Sequence, residues 1–505
     1  MRHRAARLTA AARGVVDALV APPPEVAGAP LRSLLAATPL HTWFFLAGIS
    51  FAMFSGFSGY LGLPISLDRL LLPAAVGLLL LDQRRPVMRM TTAHWLIVVF
   101  VAWTLVDMIL RGTISRSSTQ FALLDRTIMP FLVFLLAPLF LDTPFRRRLL
   151  LVVFTALGAY LGITAILETV APALVFPSYI TNPDLGLHFG RARGPMMGGD
   201  ALGVAAVVTG LCAALLALRT SGVWSALCAG VAVLGVLTVA VSLTRAVWVG
   251  MAVALVAVVL LVPALRRRIP LLAAALAGLA GLVVVALPSV VAAGLERMNE
   301  RGPVYDRLGS NDAAINLLYD LPLTGIGWTR FYPHGAEWFR QSDAYPTNAV
   351  IIEIHNIVLS RAAELGIPAA LLFVTLLAIG PGRSVWRRAH GEFTAWRVIA
   401  AAAFIAWFVT AMFGPMSIPF PNLTTFVVCG VAASPYLATP RSGSWGHDAG
   451  APPGPPGILR RTWHRAALAL SVPDPRALPD ATALPDELAS AGASRSGTAR
   501  RRAER

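Results

Sequence analysis

The sequence predicts an all-α, polytopic integral membrane protein with about 12 transmembrane helices, one long extracytoplasmic loop and a disordered C-terminal tail. Its 505 residues are 56% hydrophobic and only 13% charged, and the mean hydropathy is +0.68. Soluble domains contain about 25% charged residues. Apolar stretches of about 20 residues recur along the chain, as membrane-spanning helices require. Each stretch must be a helix, because lipid cannot satisfy the polar groups of an open backbone.

The apolar stretches divide the chain into three parts, of which residues 39–440 are the predicted transmembrane domain. The predicted spans run 41–60, 63–82, 92–110, 127–141, 149–171, 200–218, 223–243, 246–264, 270–290, 367–382, 394–413 and 418–437. Residues 1–38 are predicted to be a cytoplasmic N-terminal lead-in, because three prolines at positions 22–24 interrupt the continuous apolar core that a signal peptide needs. Residues 441–505 are rich in Pro, Gly, Ala, Ser and Arg, which predicts a disordered cytoplasmic tail.

The arginines of the short loops predict the orientation, because basic residues accumulate in short cytoplasmic loops. With the N-terminus inside, the inner loops hold thirteen arginines: Arg84, Arg85, Arg89, Arg146, Arg147, Arg148, Arg219, Arg266, Arg267, Arg268, Arg383, Arg387 and Arg388. The outer gaps hold six: Arg111, Arg116, Arg126, Arg191, Arg193 and Arg245. The long loop, residues 292–349, does not enter the count, since long loops cross regardless of charge. We therefore expect both termini in the cytoplasm of a bacterial cytoplasmic (inner) membrane.

Composition and motifs exclude several classes of function. The formal net charge is +16 and the chain contains no lysine, but most arginines flank apolar runs, so cytoplasmic anchoring explains them better than nucleic-acid binding. The three cysteines, Cys212, Cys228 and Cys429, lie in apolar runs without metal-ligand spacing. The signatures HExxH, GxxxxGK[ST] and GxSxG are absent, which argues against metalloprotease, ATPase and α/β-hydrolase chemistry.

Arginines from three separate segments are predicted to meet on the outer face. Arg245 lies between two apolar spans, where it could either snorkel to lipid headgroups or bind a pyrophosphate through its guanidinium fork. Arg191 and Arg193 lie among glycines, in an ordinary solvated loop or in one that approaches an anion. Arg307 precedes a short amphipathic helix at 313–318 in the long loop. Aromatic residues of that loop suit either anchoring at the membrane surface or contact with sugar rings.

A histidine closes the long loop. His355 and Asn356 precede a predicted surface helix that ends at Gly366, before the tenth span. Arg361 and Glu364 are three residues apart and can pair on one face of that helix. A single histidine is more often structural than catalytic, but the position of His355 at the mouth of the bundle favours a general base.

In these segments the chain resembles the O-antigen ligase and O-antigen polymerase superfamily. The matching motifs are R-x-x-G at Arg191-Ala192-Arg193-Gly194, S-R at Thr244-Arg245, P-L-x-G-x-G at Pro322-Leu323-Thr324-Gly325-Ile326-Gly327, and H-N with E-L-G at His355-Asn356 and Glu364-Leu365-Gly366. The resemblance covers residues 185–380, including the outer loop 292–349. Two positions depart from the pattern, because Thr244 replaces the usual serine and Gly198-Gly199-Asp200 replaces an N-P-N-like turn.

The resemblance implies a metal-independent glycosyltransferase, either a ligase or a polymerase, that uses no cofactor. It would move a glycan from a polyprenyl-pyrophosphate carrier to an acceptor hydroxyl of a glycan, lipid or protein in cell-surface polysaccharide biosynthesis. His355 and Arg245 are the expected catalytic residues, and Arg191, Arg193, Arg245 and Arg307 are the expected pyrophosphate ligands. Asn356, Arg361 and Glu364 are expected to support them.

The sequence is also compatible with two other functions. A lipid-glycan flippase or polysaccharide exporter would suit twelve spans, although the sequence shows no matching halves of the kind that transporter repeats leave. The transporter alternative is supported by three charged residues within predicted spans: Asp68, Arg69 and Asp107. A structural partner in an envelope assembly complex is the third possibility.

Overall fold

The computed structural model describes residues 31–83, 85–186, 189–346 and 352–439, with side chains from residue 34 onward. The predicted tail and most of the predicted lead-in lie outside these residues. The longer helices are α1 (Leu31–Ala36), α2 (Leu40–Phe51), α3 (Asp68–Leu81), α4 (Thr92–Leu110), α5 (Ser117–Phe140), α6 (Pro144–Val170), α7 (Gly199–Leu218), α8 (Gly222–Val241), α9 (Arg245–Leu261), α10 (Ile269–Ala286), α11 (Pro288–Asn299), α12 (Gly302–Asp320), α13 (Ile357–Leu365), α14 (Ile367–Ile379), α15 (Phe393–Ala411) and α16 (Pro419–Ala432).

Short elements connect these helices. Single helical turns lie at Ala52–Phe54, Ser58–Leu61, Pro172–Leu174, Ser178–Thr181, Gly194–Met196, Pro263–Arg266, Phe331–His334, Gly335–Trp338, Arg383–Trp386 and Ser434–Leu437. Two short strands, β1 (Val87–Met88) and β2 (Ala438–Thr439), pair antiparallel. The prediction of an almost entirely helical membrane protein is therefore confirmed.

Every predicted span has a helix as its counterpart. Among the described residues, seven helices are long and apolar enough to cross a membrane: α4, α5, α6, α7, α8, α10 and α15. Helices α9, α14 and α16, and α2 with the turn that follows it, are apolar but shorter. The total of twelve crossings stays a prediction.

The structure differs from the predicted boundaries in two places. The first two spans are shorter than predicted. Gly56 and Gly62 adopt left-handed conformations, which interrupt the helical backbone between α2 and α3. The fourth span is longer, because a π-helical turn at Leu124–Ile128 carries the helix through Asp125 and Arg126. Both charged side chains find partners on other segments, which is why a helix can contain them here.

The predicted long loop is largely helical. Its first part belongs to α11, and the short amphipathic helix expected at 313–318 is part of the 19-residue α12. Helix α12 begins at Gly302 with a proline at the next position, where the missing N–H costs nothing, and it ends just before Pro322.

Helix α7 is the centre of the bundle. It packs against α6, α8, α9, α15 and α16, and most of it is buried. Small residues make this possible: a Cβ at Gly203 would lie 2.6 Å from a methyl group of Val247 on α9. The N-terminus of α7, at Gly199 and Asp200, is therefore fixed at the point where several helices end.

The two ends of the bundle are held together by separate sets of contacts. At the end that carries α12, which we call the loop end, three contacts join distant segments: Arg69 with Asp125 at 2.9 Å, Arg126 with Glu353 at 2.8 Å, and Arg111 with the carbonyl of Gly325 at 2.8 Å. At the opposite end, Arg147 pairs with Glu392 at 2.8 Å. Each contact joins residues that the predicted topology places on the same side. That the loop end faces outward stays a prediction.

Candidate active site

Backbone hydrogen bonds dock the segment 322–327 against the end of α13. The amides of Ile326 and Gly327 donate to the carbonyls of Ala363 and Glu364, at 2.9 and 2.8 Å. The amide of Ile367 donates to the carbonyl of Pro322 at 2.8 Å. These bonds join residues 37 to 45 positions apart in sequence, so the two motifs form one unit.

Glycines are needed where these two segments cross. Gly325 and Gly366 both have positive φ, at 62° and 88°. A Cβ at Gly366 would lie 2.0 Å from the carbonyl oxygen of Leu323, and one at Gly325 would lie 2.5 Å from that of Ala363. Since both obstacles are backbone atoms, no side chain can move aside to admit a larger residue.

A buried ion pair supports this unit from within. Arg361 donates to Glu364 at 3.1 Å, which confirms the predicted pair, and both side chains are buried. The guanidinium of Arg361 also stacks over the ring of Trp328, and the other oxygen of Glu364 accepts from the amide of Thr329. These contacts hold the end of α13 against the segment around Trp328 and Thr329. Both charges are therefore buried and paired with each other. That the two residues support a catalytic site stays a prediction.

His355 lies just before α13 rather than within it. Asn356 is the N-cap of α13, and its side-chain oxygen accepts from the amides of Val358 and Leu359 at 3.1 and 3.0 Å. The Nδ1 atom of His355 lies 2.6 Å from the carbonyl oxygen of Glu353. Since a carbonyl only accepts hydrogen bonds, Nδ1 carries the proton in neutral histidine and Nε2 keeps a lone pair.

The electrostatic surroundings keep His355 neutral. Burial lowers the pKa of His355, and the positive charge of Arg307 lowers it further. The Glu353 carbonyl and the charges of Asp200 and Glu353 raise it, but the net direction is downward. A half-buried imidazole that is neutral at pH 7 can accept a proton, as a general base must.

Arg191 is the arginine best prepared for an anion. Its Nη1 lies 3.5 Å from Oγ1 of Thr244, and its buried Nε has no hydrogen-bond partner among the described residues. Burial lowers its pKa to about 10, and the nearby charges of Arg297 and Arg307 contribute. It therefore remains charged at pH 7, with an N–H group still unused.

Arg245 and Arg307 belong to the same electropositive cluster. Arg245 is the first residue of α9, and its guanidinium donates to the carbonyl of Glu300 at 3.3 Å. Burial lowers the pKa of Arg307, and the charge of Arg245 is the next contribution. Arg307 also acts on the pKa values of Arg191 and His355, so it lies within electrostatic range of three other predicted site residues from separate segments.

Arg193 does not join this cluster. Its guanidinium is 1% exposed and donates to the carbonyls of Ile180, Asn182 and Leu185, close to the carboxylate of Glu168. The R-x-x-G loop thus presents one arginine toward the cluster and uses the other to hold its own backbone. The structure gives Arg193 a structural set of partners, in place of the pyrophosphate contact expected from sequence.

The sequence reasoning missed Asp200. Its carboxylate acts on the pKa values of Arg191, Arg307 and His355, so it lies within range of all three. One of its oxygens would lie 3.5 Å from a Cβ built on Gly414. The sequence signal was the segment Gly198-Gly199-Asp200, where this chain departs from the family motif. It places a carboxylate at the N-terminus of a helix, opposite arginines, where charge affects neighbouring groups.

Glu353 and Arg126 were also missed as a pair. The Glu353 carboxylate accepts from Arg126 at 2.8 Å and from the hydroxyl of Ser417 at 3.1 Å. Burial raises the pKa of Glu353, but Arg126 and Ser417 outweigh that effect, so the pKa lies below its usual value. The sequence signal was a lone carboxylate among isoleucines, two residues before His355.

The charged residues that kept a transporter possible lie at helix ends. Asp68 and Arg69 begin α3, and Arg69 pairs with Asp125. Asp107, near the end of α4, pairs with Arg111 at 3.2 Å and accepts from the backbone amide of Trp328 at 2.8 Å. All of these contacts are at the loop end, where Arg69 ties α3 to α5 and Asp107 ties α4 to the backbone at Trp328.

One family model matches part of the chain. Residues 230–374 match the family model of O-antigen ligase, a stretch that contains Arg245, Arg307, His355 and Glu364 but not the loop of Arg191. No curated protein matches the chain. Over residues 230–374, this multi-pass helical membrane protein is therefore similar to O-antigen ligase, which supports the predicted resemblance and a ligase- or polymerase-like function in polysaccharide biosynthesis.

Proposed function

We propose that the protein is a glycosyltransferase that moves a glycan from a polyprenyl-pyrophosphate carrier to an acceptor hydroxyl at the outer face of the cytoplasmic membrane. One observation supports the proposal: Arg307 lies within electrostatic range of Arg191, Arg245 and His355, which come from separate segments, and Arg191 lies 3.5 Å from Thr244, the residue before Arg245. Guanidinium groups match phosphate oxygens in charge and geometry.

The reaction is a displacement at the anomeric carbon. The acceptor oxygen attacks this carbon, and the bond from the carbon to the pyrophosphate oxygen breaks. The electron pair leaves with the pyrophosphate, which remains on the polyprenyl chain, and the acceptor proton passes to Nε2 of His355. Attack from the side opposite the leaving group inverts the configuration of the sugar carbon.

The arginines assist because negative charge grows on the pyrophosphate as the bond breaks. Fixed cations stabilise such charge without reorganising during the reaction. Arg191 has a buried, unused Nε–H, and Arg245 is partly exposed at the start of α9. We assign these two to the pyrophosphate, with Arg307 as the third ligand and as a charge that, after burial, lowers the pKa of His355.

The test is glycan transfer in membrane vesicles that contain the cell's own lipid-linked glycan. Arg245→Ala and Arg245→Lys should both reduce transfer by about two orders of magnitude, because lysine keeps the charge but loses the fork. His355→Ala should reduce it by a similar factor or more. Full transfer by Arg245→Ala at normal protein levels would remove Arg245 from the site.

The same vesicles separate the proposal from its alternatives. A flippase or exporter would change the sidedness of the lipid-linked glycan without forming a new glycosidic bond. A structural partner would do neither when purified. Transfer by the purified protein, with the product bond inverted relative to the donor, supports the transferase.

A further inference from the structure

The carboxylate of Glu168, on the last turn of α6, binds the backbone of the R-x-x-G loop. One of its oxygens accepts from the amide of Arg193 at 2.9 Å and from the amide of Gly194 at 3.0 Å. The other oxygen accepts from the same Arg193 amide at 3.1 Å and lies 3.7 Å from Nε of the Arg193 guanidinium. The Glu168 side chain is only 7% exposed, and the proposed function gives it no role.

The backbone at Arg193 and Gly194 has the geometry of an anion-binding turn. Arg193 has φ of −117° and ψ of −22°, in the right-handed region, and Gly194 has φ of 58°, in the left-handed region. This alternation turns successive amides toward one side, where they bind an anion. A buried carboxylate needs such donors, because burial without hydrogen bonds is costly. Here the anion is a side chain of the protein itself, so the turn serves to attach the loop to α6.

A second set of contacts attaches the loop to the end of α8. The amide of Ala192 donates to the carbonyl of Val241 at 3.2 Å, and Nη1 of Arg191 lies 3.5 Å from Oγ1 of Thr244. The start of α7 packs closely at the same point, since a Cβ on Gly199 would lie 2.9 Å from Oγ1 of Thr244 and 3.4 Å from Cδ of Arg191. The loop is therefore tied to both α6 and α8.

The direction of the Arg191 side chain depends on this attachment. Its guanidinium has one described hydrogen-bond partner, Thr244, at 3.5 Å, which is long for such a bond. Side-chain contacts therefore hold Arg191 weakly, and the position of its backbone decides where it points. The Glu168 contact begins two residues further along the chain, at Arg193. A shift of about 1 Å at a binding group can reduce a reaction rate by about 100-fold, even when its cause is distant.

We propose that Glu168 is a positioning residue, whose carboxylate holds the R-x-x-G loop so that Arg191 points at the pyrophosphate. The inference rests on the proposed function, because it takes Arg191 as a pyrophosphate ligand. Glu168 itself touches neither the substrate nor the reacting atoms. The motif thus divides its tasks: Arg191 binds the substrate, and the amides of Arg193 and Gly194 bind Glu168.

Hydrogen exchange of the purified protein in nanodiscs tests the attachment without substrate. In wild type, the amides of Arg193 and Gly194 should be protected. Glu168→Met has a similar length but no acceptor, so both amides should exchange about tenfold faster or more. Glu168→Gln keeps an oxygen that can accept from both amides, and its exchange should stay within about twofold of wild type. Unprotected amides in wild type, or equal exchange in wild type and Glu168→Met, would overturn the attachment.

Equilibrium binding of polyprenyl pyrophosphate in the same nanodiscs tests the positioning role. Glu168→Met should weaken binding by about tenfold, but by less than about twofold when Arg191→Gln is already present, because a residue that acts through Arg191 then has nothing to position. Glu168→Gln should keep most of the affinity. Glu392→Met is the matched control, because it removes the carboxylate partner of the buried Arg147 at the opposite end of the bundle. It should lower thermal stability and leave the affinity unchanged.

A second variant guards against misfolding. Glu168→Met leaves the guanidinium of Arg193 without its carboxylate, whereas Glu168→Met combined with Arg193→Met removes both charges together. Replacing a buried ion pair by apolar residues of similar size is often neutral for stability. The double variant should show the same loss of affinity per folded molecule, because the amides of Arg193 and Gly194 lose the same acceptor.

The outcomes separate this inference from the proposed function. If Arg191→Gln weakens binding but Glu168→Met does not, or if the two losses add in full, Glu168 is structural and the inference is wrong. An equal loss in Glu392→Met would also overturn it, because stability alone would then set the affinity. If Arg191→Gln leaves binding unchanged, the pyrophosphate assignment of the proposed function is wrong, and the positioning role falls with it even where hydrogen exchange confirms the attachment.

Discussion

Arg191 and Arg193 are two residues apart, yet their surroundings differ completely. The guanidinium of Arg191 has one described hydrogen-bond partner, Thr244, whereas that of Arg193 donates to three backbone carbonyls and lies near Glu168. The sequence showed the R-x-x-G motif but could not distinguish its two arginines. The difference arises from carbonyls at 180–185, whose position depends on the folded loop.

Substitution of Arg191 should therefore reduce activity, whereas substitution of Arg193 should reduce stability. Arg191→Gln should fold normally and lose about two orders of magnitude in transfer rate, because an anion ligand is lost. Arg193→Gln should lower stability by about 3–5 kcal/mol, because a buried charge network is broken. Thermal unfolding in detergent and transfer per folded molecule separate the effects. The assignment is wrong if Arg193→Gln has normal stability and no activity.

Removing the charge of Arg307 or of Asp200 should shift the pKa of His355 in opposite directions. Burial and Arg307 hold this pKa below 6.5, so the base form persists as the pH falls and activity is lost only below the ordinary histidine range. Arg307→Gln removes a neighbour that lowers the pKa, so the acidic limb of kcat/KM should move to higher pH. Asp200→Asn removes one that raises it, so the limb should move to lower pH.

These pH profiles remain informative when a variant also has a lower maximum rate. The midpoint of the acidic limb is independent of the maximum rate, so a damaged pyrophosphate site does not hide the shift. Identical midpoints in wild type, Arg307→Gln and Asp200→Asn would show that the limb reports another group.

At the scale of elements, the site depends on how the segment 322–327 docks on α13. The sequence marked both stretches as motifs, and it correctly paired Arg361 with Glu364 because that pair is local. It could not show that the glycines exist to let two backbones cross, since the crossing joins residues about 40 positions apart. The pair of Arg126 and Glu353, 227 positions apart, was out of reach for the same reason.

A glycine substitution tests the crossing directly. Gly366→Ala should undock the segment, because its Cβ would lie 2.0 Å from the carbonyl oxygen of Leu323, and left-handed strain alone costs about 1–3 kcal/mol. Gly62→Ala is the control, with φ of 73° and no atom within 4 Å of the added Cβ. Similar losses of thermal stability in the two variants would mean that strain, and not the crossing, sets the cost.

At the scale of the whole molecule, apolar length predicted the helices well, because it is a local property of the chain. The sequence did not predict the break at Gly56 and Gly62, where α2 ends earlier and α3 begins later than expected. It also did not predict the π-helical turn that extends α5. The sorting of charged contacts onto two ends agrees with the predicted alternation of loops. Orientation relative to the membrane rests on arginine counts alone and needs its own test.

Cysteine labelling in right-side-out vesicles provides that test. The native cysteines are buried, so an impermeant maleimide should react only with introduced ones. Tyr319→Cys, on exposed α12, should be labelled at once, and His390→Cys, between α14 and α15, only after permeabilisation. Labelling in the reverse order would place the loop end in the cytoplasm and rule out the proposed outer-face reaction.

The central claim is that three arginines from separate segments form one binding site for a lipid pyrophosphate. Equilibrium binding of polyprenyl pyrophosphate to the purified protein in nanodiscs measures it directly. Binding should be much tighter than that of the uncharged polyprenol, and Arg191→Gln, Arg245→Gln and Arg307→Gln should each weaken it by tenfold or more. Equal affinity for the charged and uncharged lipids, or wild-type affinity in all three variants, would contradict the account.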